Sequence, residues 1–380
     1  MKIPAFCQLS DFGPEVAGSF VDSMLSLGKY CRQQFGVETF FIFPERAKNR
    51  KWLSRFNDCD FPVGFVPAKR NVISDVRDLL KEYDPLIFHT HFSQFDLSPL
   101  LLKFLYFRHS KVVWSYHHSL SLTTKQRIKD WVKINCLGEC FVDKFVAVGD
   151  AVYAGLLNAG LPEKKIALVY NGIDVERFSL NSSRSSIRNH LDIEDGSIVF
   201  LLLGRNPFIK GLDIFLKAAE EIIRKKETSA RFIIVGKEET RKVISSYIKK
   251  ADGLRKVIKV INPVDDFSSL LNAVDVFVSC SRSEGFSYAV VEAMAAKKIL
   301  LSSNIQIPVI SGLHGKAEGI LVYPTEDWKS LSELMEKFLN METSKRMSLG
   351  SANYAYVKNY FSVEIWAKKM GKMYHDLSKN

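Results

Sequence analysis

The sequence predicts an α/β protein built from two doubly wound, parallel-sheet domains that face each other across a cleft. Three observations carry that expectation. Apolar runs rich in Val, Ile, Leu and Phe recur along the chain without the in–out alternation of a half-solvated strand, as strands covered on both faces do. Stretches of helical periodicity fill the intervals between them. The series breaks once, near Asn171–Arg184 (NGIDVERFSLNSSR), where small polar residues gather, and then resumes. At 380 residues the chain is too long for one core and suits two.

The elements follow in order. An opening strand leads into Phe12-Gly13-Pro14-Glu15, and a helix spans Gly18–Phe35. Strands are expected at Thr39–Phe43, Leu86–Phe88, Lys111–Ser115, Lys144–Val148 and Ile166–Val169, with a helix at Asp75–Lys81 among them. The second series places strands at Ile198–Leu203, Ala230–Val235, Val257–Ile261, Val274–Ser279, Ile299–Ser302 and Gly319–Val322. Helices at Gly211–Arg224 and Ser287–Ala296 separate some of them. The tail from Tyr354 to Leu377 is aromatic and basic with helical spacing. The expected division is a first domain over 1–172, a second over 173–355, and a C-terminal helix, 356–380, that crosses back to the first.

Composition narrows the function classes. Hydrophobic residues make up 47% and charged residues 25%, a globular mixture. No apolar run approaches the ~18 residues of a membrane span. The opening MKIPAFCQLS lacks signal-peptide anatomy, so the expected location is cytoplasmic. Six scattered cysteines form no Cys-x-x-Cys pair and read as reduced core residues. The net charge is +11; residues 1–174 carry 22 Lys/Arg against 18 Asp/Glu, and the remainder 31 against 24. Both halves are therefore basic without the dense runs of a nucleic-acid arm, and a phosphate-bearing ligand or an anionic membrane surface suits that surplus.

In open α/β sheets ligands bind beyond the carboxyl ends of the strands, so the chemistry is sought in the loops there. One such loop is SRSEGFSYAVVEAMA after the strand DVFVSC. Glu284, Gly285 and Phe286 precede a helix starting near Ser287, whose free amides offer an anion site. Glu292 follows Glu284 by eight positions; at ~1.5 Å per residue this spreads the carboxylates by about 10–12 Å. That is wider than a hydrolase acid/base pair and suits clamps on both ends of an elongated ligand. The same acids also read as a helix-start charge and a solvated helix face. The second loop, in LLLGRNPFIKGLDIF, places Arg205 and Lys210 after the turn at Gly204; a fork and a point charge there suit a diphosphate.

Together, Gly-Arg…Lys-Gly, Asp-Val-Phe-Val-Ser and Glu-Gly-Phe-(x)5-Glu-Ala-Met resemble the retaining glycosyltransferases of family 4, with their GT-B fold of two Rossmann-like domains. Asn171-Gly172-Ile173-Asp174 with Phe178 is similar to that family's interdomain segment. The resemblance is most specific from about residue 143 to 325. It implies that Glu284 contacts donor-sugar hydroxyls beside the amides of Gly285, Phe286 and Ser287. It implies too that Glu292 holds the ribose, and that Arg205 and Lys210 neutralise the diphosphate of a UDP-sugar without a metal. In the first domain, on the acceptor side, Gly13 resembles part of the family's glycine loop, with Pro14 replacing the commoner second glycine. Ser115-Tyr116-His117 resembles the family's Thr-x-His, making His117 the active-site histidine, with adjacent His118 the alternative. Lys297 and Lys298 depart from the Gly-x-Pro that relatives carry after this helix. The implied reaction keeps the anomeric configuration and transfers the sugar to a hydroxyl acceptor, a lipid-linked glycan among the candidates, in bacterial surface polysaccharide or glycolipid assembly.

Other signals remain open. Asp58-Cys59-Asp60 carries the Asp-x-Asp of metal-dependent transferases but follows no strand, so a solvated turn is expected. Leu97–Lys111 mixes apolar and basic residues; it reads equally as a helix at the inner membrane face and as one packed on the sheet. His89 and His91 read as scaffold. A nucleotide-sugar epimerase and an idle partner subunit of another transferase are the alternatives in function; the two-glutamate signature argues against the first, and intact Glu284, Glu292, Arg205 and Lys210 against the second.

Overall fold

A computed structural model describes residues 2–67, 72–92, 94–117, 131–179, 184–225, 229–249, 251–306 and 317–379. The chain divides into two compact units, Met1–Ile173 with Val363–Asn380, and Asp174–Ser362.

The first unit is built on the strands β1 (Ile3–Ser10), β2 (Glu38–Pro44), β3 (Val63–Val66), β4 (Tyr83–His91), β5 (Lys111–Tyr116), β6 (Lys144–Ala147) and β7 (Ile166–Leu168). Among the described residues these pair in the order β3-β2-β1-β4-β5-β6-β7, parallel throughout. The helices α1 (Gly18–Phe35), α2 (Ile73–Leu79), α3 (Leu97–Leu105) and α4 (Asp150–Asn158) connect them. Side chains alternate across the sheet. Phe6, Ile87, Val113 and Val146 face a core with Phe20 and Met24 of α1 and with Trp366, Met370 and Tyr374 of the C-terminal helix, Val363–Lys379. Ala5, Cys7, Leu9 and Phe88 face the other core, with Val76, Phe95 and Leu102. The sequence reading has no strand at β3: four residues between Pro62 and Pro67, broken by Gly64, form too short an edge run to stand out.

The second unit repeats the plan with β8 (Ile198–Leu203), β9 (Ala230–Val235), β10 (Ile258–Ile261), β11 (Val276–Ser279), β12 (Ile299–Ser303) and β13 (Ile320–Tyr323). Their order is β10-β9-β8-β11-β12-β13, again parallel. The helices α5 (Leu212–Lys225), α6 (Glu238–Ile248), α7 (Phe267–Ala273), α8 (Tyr288–Ala295), α9 (Trp328–Leu339) and α10 (Thr343–Tyr360) cover it. The segment at 171–179 is ordered: Ile173 is fully buried, Ser23 Oγ donates to the Gly172 carbonyl (2.8 Å), and Asp174 caps the turn Val175–Ser179. A break at Phe361–Ser362 separates α10 from the C-terminal helix, so that helix opens at Val363, where position 356 was expected to begin the crossing.

Each sheet has one place where the chain turns back and continues on the other side of its first strand. These lie between β1 and β4, and between β8 and β11. The loops leaving the carboxyl ends of those strands splay apart there and leave room for a ligand.

Candidate active site

In the second unit the two loops at the reversal are locked together. After β8 come Gly204 and Arg205; Asn206 then adopts a left-handed φ of 56°, and the amides of Lys210 and Gly211 donate to the carbonyls of Asn206 (3.0 Å) and Phe208 (3.1 Å). Gly211 has φ 64°, and a Cβ there would stand 2.1 Å from the Cys280 carbonyl oxygen. Only glycine fits, and it seats this loop on the one leaving β11. From that second loop the Arg282 amide donates to the Ile209 carbonyl (2.7 Å).

As a result Lys210 and Glu284 meet: Nζ pairs with Oε1, and the same oxygen accepts from Ser281 Oγ (2.8 Å). The side chains are only 28% and 12% exposed, so this pair is shielded from water more than an ordinary surface pair. Arg205 is exposed and makes no hydrogen bond or ion pair with any described residue. A small hollow beside α8 is lined by Lys210, Ser281 and Ser287 among others.

Arg282, which the sequence reading passes over, holds the loops in place. Its guanidinium forks to Asp213 (2.9 and 2.8 Å) and to Glu326 (2.5 and 2.8 Å), and it lies 4.3 Å from the Phe208 ring centroid. The bonds to Asp213 and Glu326 push its pKa above the usual range. Its neighbour two positions on, Glu284, carries the motif, but the partners of Arg282 lie 69 and 44 residues away. Nothing local marks it.

Two expectations are corrected here. Because α8 opens at Tyr288, Gly285, Phe286 and Ser287 form its lead-in, with Ser287 as N-cap residue. The separation of 10–12 Å between Glu284 and Glu292 assumed a continuous helix, so the rise per residue does not apply to it. Nor does Glu292 sit on a solvated face: it is 7% exposed, and a carboxylate that buried requires bonded partners. Phe286 is as deeply placed, against Tyr288 and Phe361. At the far end of α8, Lys297 adopts φ 58°; its amide donates to Met294 (3.0 Å) and that of Lys298 to Ala293 (3.0 Å). This is a left-handed helix stop that glycine fills at lower cost, by about 1 kcal/mol. Burial lowers the Lys298 ammonium pKa to about 8.

In the first unit the loop after β1 is pinned by Arg50 Nε on the Gly13 carbonyl (3.0 Å) and by Trp52 Nε1 on that of Pro14 (3.0 Å). His117 directly follows β5, is half-buried and stacks on Phe92 with centroids 4.4 Å apart. His118 lies outside the described residues. His91 Nδ1 is 3.1 Å from His117 Nε2, and His91 Nε2 is 3.1 Å from Gln8 Oε1. Gln8 Nε2 reaches the Tyr374 hydroxyl (3.1 Å), which also bonds His89 Nδ1; His89 Nε2 lies 2.7 Å from Ser115 Oγ. His89 and His91 are completely enclosed, and burial drives both imidazole pKa values well below the usual one. Asp58 and Asp60 occupy a turn after the helical residues Ser54–Asn57, with Asp60 at φ 53°. Among the described residues no group of three or more His, Cys, Asp or Glu is placed to hold a metal. Lys103 of α3 bonds Asp143 (2.8 Å), while Leu97, Leu101, Phe104 and Leu105 are exposed.

The family model for glycosyl transferases group 1 matches residues 183–356, and that for glycosyltransferase family 4 matches residues 36–177. The capsular polysaccharide biosynthesis glycosyltransferase CapM of Staphylococcus aureus is 26% identical over 247 residues, 63% of each chain, so the match spans just under two thirds of that relative. The O-antigen biosynthesis glycosyltransferase WclY of Escherichia coli is 25% identical over 312 residues, 80% of this chain and 82% of that one. The crystal structure of Anabaena Alr3699/HepE in complex with UDP superposes with a TM-score of 0.80 at 18% identity, covering 99% of this chain and 100% of that one. With both sheets doubly wound and both halves matched, the chain belongs to the group 1, family 4 glycosyltransferases of GT-B fold.

Proposed function

We propose that the protein is a retaining glycosyltransferase that moves a sugar from a UDP-sugar to a hydroxyl of a growing surface polysaccharide or glycolipid. The observation that carries this is the Lys210–Glu284–Ser281 constellation at the sheet reversal of the second unit, followed at once by α8 with its enclosed Glu292. The relatives named for capsular polysaccharide and O-antigen biosynthesis support the acceptor class, and the UDP complex supports the nucleotide.

In this reading Glu292 takes the ribose hydroxyls. Lys210 and exposed Arg205 face the diphosphate, where negative charge grows as the leaving group departs; fixed positive charge there lowers the barrier. They supply this charge without a metal. Gly13 and Gly204 let backbone approach the phosphates. Glu284, with the amides of Gly285, Phe286 and Ser287, binds the sugar hydroxyls, and His117 bonds the transferred sugar. The bond from the anomeric carbon to the phosphate oxygen breaks while the acceptor oxygen bonds that carbon from the same face. A phosphate oxygen takes the acceptor's proton. Glu284, held by Lys210 and Ser281, stays a ligand of hydroxyls, so no sugar becomes attached to the enzyme.

The test is the anomer of the product, read by NMR after incubation with a panel of UDP-sugars and hydroxyl acceptors, with and without EDTA. Retained configuration and unchanged rate in EDTA are expected. An inverted product or a trapped glycosyl-enzyme would overturn the mechanism, and an epimerised donor formed without acceptor would make the protein an isomerase.

A further inference from the structure

We propose that Gln8 and His91 are positioning residues for His117, holding its ring in one orientation and in the tautomer with the proton on Nε2. This rests on the reading of His117 as a sugar contact and adds what fixes its ring.

The observation is a line of polar side chains inside an apolar layer. Strand alternation puts Gln8 of β1, His89 and His91 of β4, and Ser115 of β5 on one face. The register pairs Gln8 with His89 and His91 with Ser115 across adjacent strands. That same face carries Phe6, Ile87 and Val113 and is covered by Phe20, Met370 and Tyr374. Burying Gln8 and two imidazoles there is costly unless every polar atom is bonded. They are bonded in sequence, from the C-terminal helix to the end of β5.

Each bond decides the next. The Gln8 carbonyl oxygen only accepts, so His91 Nε2 carries a proton and donates to it (3.1 Å). His91 is sealed from water, and burial favours its neutral ring. A neutral ring protonated on Nε2 has an acceptor at Nδ1. His117 Nε2 stands 3.1 Å from that Nδ1 and so carries the proton it donates. On the other side, Gln8 Nε2 donates to the Tyr374 hydroxyl (3.1 Å), which in turn lies 3.3 Å from Gln8 Oε1 and bonds His89 Nδ1. His89 Nε2 closes the line at Ser115 Oγ (2.7 Å). With its Nε2 edge committed to His91, the His117 ring is held in one orientation beside Phe92.

The experiment is a 1H–15N multiple-bond correlation spectrum of the full chain labelled with 15N in its histidine rings, assigned with single His variants. In the wild type, His91 and His117 are expected to show one protonated Nε2 and one lone-pair Nδ1 each. His91→Phe keeps a ring of similar volume but removes both bonds, and the two His117 nitrogens are expected to move toward averaged values. His91→Gln, whose amide can accept from His117 and donate to Gln8, is expected to restore the separated pair. A role that is only structural would lower the melting temperature in both variants without moving the His117 signals, and unmoved signals in folded His91→Phe overturn the proposal. Should that variant fail to fold by circular dichroism, the wild-type spectrum decides, because a His117 proton on Nδ1 overturns it equally. The sugar-contact reading is tested apart: full transferase activity in His117→Ala would remove His117 from the sugar site, whereas the tautomer is read from the wild-type spectrum alone.

Discussion

At the scale of the residue, the deciding side chains are those whose protonation the fold controls. His89 and His91 are enclosed and kept neutral, whereas an unfolded chain would protonate them below about pH 6.5. The unfolded state then binds more protons than the native one, so stability is complete above that pH and falls as pH drops below it. The slope is up to about 1.4 kcal/mol per pH unit for each ring until its own lower pKa is reached. Denaturant melts at pH 7.5, 6.0 and 5.0 check this: the wild type should lose stability across that range, and His91→Phe should lose it less steeply. Equal slopes would mean that His91 titrates alike in the folded and unfolded chain. Residue types at motif spacing made Glu284, Lys210 and Arg205 legible in the sequence. Gln8 and Tyr374 were not, because they meet across 366 positions and neither belongs to a motif.

At the scale of the element, the parallel strands were legible because burial on both faces writes a continuous apolar run. The short edge strand β3 was not, since four residues between prolines carry no such run. The rise per residue does not carry over to Glu284 and Glu292, because Glu284 lies in the loop before α8, whose start near Ser287 the sequence did show. Helix α3 divides its residues clearly. Ser98, Pro99 and Leu102 face inward, while Leu97, Leu101, Phe104 and Leu105 lie open beside exposed Tyr106 and Arg108. Trp131 and Val132 are exposed as well, and their neighbour Lys133 bonds Asp96 at the start of α3. An apolar face this broad beside basic residues suits an anionic bilayer surface, and we propose it docks the enzyme there. Among the described residues no helix is long and apolar enough to cross a membrane. Sedimentation with vesicles containing anionic lipid should carry down the wild type and several-fold less Phe104→Asp; a wild type left in the supernatant would contradict the proposal.

At the scale of the whole molecule, one architectural rule is used twice. Each unit builds a parallel sheet that reverses direction once, and each gathers its polar side chains at the carboxyl ends beside that reversal. In the second unit Gly211 and Arg282 lock the loops so that Lys210 and Glu284 meet, and α8, which follows them, carries buried Glu292. In the first, the loop at Gly13 follows β1, and His117, which follows β5, stands 3.1 Å from His91 at the end of β4. The chain passes from one unit to the other at Ile173 and returns at Val363. The early break in apolar periodicity signalled the first crossing. The second was expected at 356 and falls at Val363, between two consecutive helices whose break helical spacing alone does not place. The central claim is that the second unit is a nucleotide-sugar site, and a thermal-shift series with UDP on the wild type and Glu292→Ala tests it most directly. Ligand at ~100 times its dissociation constant adds about 2.7 kcal/mol to the form that binds it. The wild type should show a clear rise in melting temperature with UDP, and Glu292→Ala a smaller one. No rise with UDP or with any UDP-sugar in the wild type would contradict it.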